Sequence, residues 1–222
     1  MVSKMNNVKS IIVTGSSSGL GASICRQSSK DYDYYFGASR FNGVDVGKYE
    51  DVLMFFDGIR QTLIQNEIHV PYALINNAGI CKQGSIIEMD VKDWDEQIKV
   101  NLNGVFYACK EYIKLCKEFN FAGKIINIAS TAGTGSRPGR ACYAASKAAV
   151  INFSLSLADE LKQDGFKVYC ICPGAFDSKL RREIAPDDDF DSMLKPHEIA
   201  NFIMGIIENG KFLDNQIIYT RR

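Results

Sequence analysis

Short, continuously apolar runs alternate along this chain with longer stretches of helical periodicity, and that alternation leaves few folds open. Ser10–Val13, Tyr34–Ala38, Tyr72–Ile75, Lys124–Ile128, Lys167–Cys172 and Gln216–Tyr219 read as strands. Runs such as Ile11-Ile12-Val13 and Ile125-Ile126-Asn127-Ile128 carry apolar residues on both sides of the strand, which suits a parallel sheet covered on both faces. Between them, Gly19–Ser29, Tyr49–Asn66, Lys92–Phe119, Cys142–Gln163 and Pro196–Asn209 read as helices. The third is expected to break near Asn101, and Pro196 suits a first helical turn. This order predicts an α/β fold, a doubly wound parallel sheet with right-handed crossovers. The aspartate-rich segment Ala185–Asp191 is expected to be an exposed loop.

The bulk properties exclude several classes. A chain of 222 residues suits one sizeable domain, over residues 1–222, better than two. Lys+Arg and Asp+Glu balance at 26 each, which removes the broad basic surface of a nucleic-acid binder. No stretch approaches the roughly 18 apolar residues of a membrane span, and Met1 to Ser10 holds no signal-peptide run. A cytoplasmic location without a membrane partner is the expectation. The seven cysteines include no Cys-x-x-Cys pair, so neither a disulfide framework nor a zinc site is indicated.

Thr14-Gly15-Ser16-Ser17-Ser18-Gly19-Leu20-Gly21 follows the first strand and opens the first helix. Its glycines allow a tight turn and close approach of backbone to a pyrophosphate, and free N–H groups at the helix start complete an anion site. Gly15, Ser17, Ser18, Gly19 and Leu20 are therefore candidate cofactor contacts of a Rossmann-type domain. At the end of the second strand, an acid would hold a ribose 2′-OH and an arginine a 2′-phosphate. Ala38-Ser39-Arg40 stands there without an acid, so NADP(H) is favoured over NAD(H), with Ser39 and Arg40 at the phosphate.

Tyr143 and Lys147 lie at i and i+4 on one helical face. A nearby ammonium and a nicotinamide cation favour a phenolate, so in a cofactor cleft the pair is expected to lower the tyrosine pKa and make it a proton shuttle. With Ser130, the opening glycine turn, Asn76-Asn77-Ala78-Gly79, Val100-Asn101-Leu102-Asn103-Gly104 and Pro173-Gly174 in order, the chain resembles the short-chain dehydrogenase/reductase family from about Lys9 to Tyr219. The resemblance implies a catalytic tetrad of Asn101, Ser130, Tyr143 and Lys147. Tyr143 would exchange a proton with the reacting oxygen, Ser130 would orient that oxygen, and Lys147 would also bind the nicotinamide ribose. Asn101 would hold a water linking Lys147 to solvent. It further implies cofactor contacts from Asp45 and Val46 at the adenine, from Asn77, Ala78 and Gly79, from Pro173 and Gly174, and from Ser178 at the carboxamide. No metal is called for, and a homodimer or homotetramer is the family habit.

The chain departs from the pattern in two places. Only Phe41 to Val44 separate Arg40 from Asp45, where the family has a full helix. Ser18 also stands where a basic residue would mark NADP(H) preference. The substrate lobe, about residues 174–195, is short, so a compact and open site is expected. Arg137 and Arg140 before Tyr143, with Lys179, Arg181 and Arg182 in the lobe, admit a sugar phosphate or other anionic substrate. A general ketone or acyl-thioester reductase shares the same tetrad, and a non-catalytic cofactor-binding regulator would share the fold.

Overall fold

The computed structural model describes residues 9–67, 70–210, 213 and 217–220. Residues 1–8 and Gln216, the expected start of the last strand, lie outside them. Six strands form a single parallel sheet in the order β2-β1-β3-β4-β5-β6. They are β1 (Lys9–Thr14), β2 (Tyr34–Ala38), β3 (Val70–Asn76), β4 (Lys124–Ile128), β5 (Lys167–Pro173) and β6 (Ile217–Thr220). Helices α1 (Gly19–Asp31), α2 (Tyr49–Gln65), α3 (Val91–Ile98), α4 (Gly104–Glu118), α5 (Ala141–Glu160), α6 (Lys179–Ile184) and α7 (Pro196–Asn209) connect them.

Continuous apolar strands have two faces to cover, and the helices divide accordingly. Ile12, Leu74, Ile125, Val168 and Cys170 meet α2, α4 and α5 in one core. Their neighbours Ile11, Val13, Ala73, Ile75, Ile126, Tyr169 and Ile171 meet α1 and α7 in the other. Alternate residues of one strand thus serve opposite cores, as the period of two requires. At roughly 25 cal/mol per Å² of buried apolar area, such fully buried isoleucines and leucines supply the main favourable term.

The long third helix is interrupted as an α-helix around Asn101, as expected: Lys99–Asn103 forms a π-helical stretch joining α3 to α4. Its extra residue lets the helix run on while turning the buried Asn101 side chain inward. The lobe also contains a six-residue helix, α6, capped by the Ser178 hydroxyl, which accepts from the Arg181 N–H at 3.1 Å.

Candidate active site

In an open parallel sheet, ligands collect beyond the carboxyl ends of the strands where the winding reverses. Here β1 has β2 on one side and β3 on the other. Gly15 after β1, Ser39 after β2, Asn77 after β3, Ser130 after β4 and Gly174 after β5 all line one cavity of about 580 Å³. That volume lies within the roughly 300–1,000 Å³ of small-molecule sites.

The glycine turn closes one wall. Gly15 has φ +67°, and a Cβ there would come within 2.8 Å of Ala78 Cα, so a side chain is excluded by both conformation and space. Thr14 Oγ1 accepts from the N–H groups of Asn77 and Ala78, each at 3.1 Å, and Asn77 Nδ2 donates to the Thr14 carbonyl at 3.1 Å. These bonds clamp the end of β1 to the end of β3. The first turn of α1 has no acid and no side-chain cap, and Ser17, Ser18, Gly19 and Leu20 line the cavity. The positive pole of the helix therefore faces the space, a fit for a pyrophosphate.

Beyond β2, the short link is one 3-10 turn, Arg40–Asn42. Asn42 Oδ1 accepts from the Ser39 N–H at 2.8 Å and from its hydroxyl at 3.1 Å. Arg40 pairs with Asp45 at 3.4 Å and with Glu96 of α3 at 2.9 Å. Asp45 Oδ1 also accepts from the Gly47 N–H at 3.0 Å, and Val46 lies beside it in the lining. Arg40 is thus present but shared between two carboxylates, one of which, Glu96, carries no motif that sequence reasoning could find.

At the other end, Ser130, Tyr143 and Lys147 meet. Ser130 Oγ accepts from the Ala132 N–H at 3.0 Å, which fixes its rotamer at the end of β4. The nearby Ser130 hydroxyl pulls the pKa of the Tyr143 phenol down, but burial outweighs that pull and pushes the phenol up to about 12. In the protein alone the phenol is thus raised rather than lowered. Lys147 Nζ lies 5.8 Å from the Tyr143 ring centroid and donates to the Ile128 carbonyl at 2.8 Å. Its own burial brings the ammonium down to about 8.

Asn101 does not line the cavity; it stands behind Gly79. Its Oδ1 accepts from the Ile80 N–H at 2.8 Å, and its Nδ2 donates to the Ile80 carbonyl at 2.9 Å and to Ser146 Oγ at 3.1 Å. A Cβ on Gly79 would sit 3.4 Å from Asn101 Oδ1 and 3.5 Å from Lys147 Nζ. The Asn101 side chain thus clamps the loop after β3, and Gly79 of that loop lies beside both Asn101 and Lys147.

Gly79, Pro173, Gly174 and Ser178 complete the lining expected from sequence. Ile80, Thr131, Phe176, Leu180 and Ile184 also line it; as ordinary apolar or hydroxyl residues in loops and a short helix they gave no signal. Two lobe cations are neutralised: Arg181 pairs with Asp188, and Arg182 pairs with Asp177 at 2.7 Å while lying over Phe190. Among the described residues, no helix is long and apolar enough to cross a membrane.

A dinucleotide cradle at the winding reversal of a parallel sheet, with a tyrosine and a lysine one turn apart, defines a nicotinamide-dependent oxidoreductase class, and comparison with known proteins agrees. The short chain dehydrogenase family model matches residues 37–189, more than half of the chain. The chain is 31% identical over 199 residues to the 3-oxoacyl-(acyl-carrier-protein) reductase FabG of Salmonella typhimurium, covering 81% of this chain and 78% of that protein. It is 41% identical over 107 residues to nodulation protein G of Rhizobium sp. (strain N33), a match spanning 48% of this chain and only 43% of that relative. Among solved structures, 4-hydroxyisoleucine dehydrogenase complexed with NADH is similar with a TM-score of 0.80 at 25% identity, covering 95% of this chain and 96% of that one. The chain belongs to the short-chain dehydrogenase family.

Proposed function

We propose that the protein catalyses hydride transfer between a nicotinamide cofactor and a carbonyl or secondary alcohol of a small molecule. The observation that carries this reading is the convergence of Ser130, Tyr143 and Lys147 at one end of the cavity whose other wall is the Gly15–Leu20 turn. When bound, the nicotinamide supplies or takes up the hydride. Tyr143 donates its proton to the substrate oxygen as that oxygen gains negative charge, and accepts it back in the oxidative direction. Ser130 donates a hydrogen bond to the same oxygen. Lys147 has three donors, one of them given to Ile128, and the others serve the nicotinamide ribose. Asn101 holds the Ile80 backbone and, through Gly79, the lysine side of the site. Asn77, Ala78, Gly79, Pro173, Gly174 and Ser178 complete the cofactor bed, and residues 174–195 act as the short substrate lobe.

NADP(H) is the preferred cofactor in this reading. Arg40 supports it: the side chain lines the cavity and is 55% exposed. Phe106 and Leu155, on α4 and α5, are exposed at 46% and 41%, which supports a homodimer or homotetramer through these helices. A cytoplasmic site of action accords with seven unpaired cysteines.

A second reading, reduction of an acyl thioester, is favoured by the similarity to the Salmonella reductase and uses the same tetrad. One experiment separates the readings. Purified protein is given NADPH or NADH with a panel of sugar phosphates, keto acids, acyl thioesters and simple ketones, and loss of reduced cofactor is followed by absorbance. Turnover of at least one carbonyl class is expected. Cofactor binding without any turnover would turn the protein into a non-catalytic member of its fold.

A further inference from the structure

The cations of the cavity are not all balanced. Arg40 faces Asp45 and Glu96, Lys179 faces Glu183 at 3.9 Å, and Arg181 faces Asp188. Arg137 and Arg140 line the same cavity, and among the described residues neither has a carboxylate partner. Asp45 is the one acid in the described lining, and it pairs with Arg40.

Local chemistry sets these two arginines side by side. Pro138-Gly139 separates them, the Arg140 N–H donates to the Arg137 carbonyl at 3.0 Å, and Gly139 takes φ +71°. Proline followed by a glycine of positive φ is the signature of a tight β-turn, which holds its first and fourth Cα atoms within about 7 Å. The turn is tied down from outside, because the Gly84 N–H donates to the Gly139 carbonyl at 3.0 Å. Arg137 donates to the carbonyls of Ser136 at 2.7 Å and Thr131 at 3.2 Å, which anchors it next to Ser130. Arg140 precedes α5 as its N-cap, and the first turn of α5 holds no acid. A cation at the positive pole of a helix is the disfavoured arrangement, and both arginines are half-buried.

We infer that Arg137 and Arg140 form an anion subsite that takes a carboxylate or phosphate group of the substrate, so that the molecule reacting at Ser130 and Tyr143 is a small anionic carbonyl compound or its alcohol. Arg140 lies three residues before Tyr143, a rise of about 4.5 Å along the helix. Arg140 and Tyr143 also line the same cavity, so anion and reacting oxygen fit within one molecule. The charge of Arg140 already acts on the phenol, favouring its ionised form. The part of this inference that concerns the reacting carbonyl rests on the oxidoreductase reading; the subsite itself does not.

The test is calorimetric titration of the protein, with and without NADPH, using malonate, inorganic phosphate and the neutral analogue malonamide. Wild type is compared with Arg137→Gln, Arg140→Gln, Arg140→Lys and the outward-facing control Arg182→Gln. Malonate or phosphate should bind wild type and the control, and malonamide should not. Each glutamine variant should weaken the anion about ten-fold or more, the loss of a charge-assisted bond, and Arg140→Lys should recover part of it. Binding by malonate alone identifies a carboxylate, and binding by phosphate alone identifies a phosphate. No anion binding, equal binding of malonamide, or glutamine variants that bind like wild type would overturn the subsite. Because the readout needs no turnover, that failure leaves hydride transfer standing, whereas a silent carbonyl panel removes hydride transfer and leaves the subsite.

Discussion

Tyr143 and Lys147 are each displaced from their ordinary titration, in opposite directions and by the same cause. Burial disfavours the charged form, so the phenol rises to about 12 and the ammonium falls to about 8. Tyr143 then holds its proton throughout the neutral range, the state a general acid needs. Lys147 is charged below about 8 and loses its charge as pH rises through that value, short of the ordinary 10.5. Reductive kcat/KM should therefore decline along an alkaline limb centred near 8; a flat profile into the ordinary lysine range would contradict the assignment of that limb. If NADP(H) is the cofactor as proposed, Arg40→Ala should weaken NADPH about ten-fold while barely changing NADH, through loss of a charge-assisted bond to the 2′-phosphate. Glu96→Gln should tighten NADPH severalfold by releasing the guanidinium, within the range of an exposed ion pair. Equal effects on both cofactors, measured by fluorescence titration, would show that Arg40 does not meet a 2′-phosphate. Arg40 could be read from its place after β2, but Glu96 could not, since it lies 56 residues further on and only packing brings it there.

Strands and long helices were legible because their signals are physical necessities of the layers they join. Apolar runs facing two cores are continuous, and helices between them are long enough to show a period. What escaped was either short or non-local. The helix α6 has six residues, too few for periodicity, and a π-helical insertion leaves no compositional mark, so Lys99–Asn103 could be read only as an interruption. The buried polar ladder across β3, β4 and α5 was equally hidden. Asn76 Nδ2 donates to Asn127 Oδ1 at 2.9 Å, Asn127 Nδ2 donates to Ser154 Oγ at 2.9 Å, and Ser154 Oγ donates to the Val150 carbonyl at 2.7 Å. Removing one rung strands a buried donor. Ser154→Ala should therefore destabilise the fold by about 1–3 kcal/mol, read as a lower urea midpoint at unchanged slope; an unaltered midpoint would mean that the ladder contributes nothing to stability.

The sheet, its two cores and the loops beyond its carboxyl edge act together to place one cavity between a glycine turn and a tyrosine–lysine pair. Of that cavity, the motif residues were readable in the sequence, because each answers a local demand: a turn without side chains, a helix face, a strand end. The balance of charge around it was not, because ion pairs such as Arg181 with Asp188 and Arg182 with Asp177 depend on how the lobe folds back on itself. The proposed hydride transfer depends most on the phenol of Tyr143 being the group that meets the reacting oxygen. The direct measurement is steady-state oxidation of NADPH by Tyr143→Phe with the best substrate of the carbonyl panel, alongside the cofactor dissociation constant of the same variant. An unchanged dissociation constant with turnover reduced about 100-fold or more is the predicted result, as for loss of a positioned proton donor. Turnover equal to wild type would contradict it.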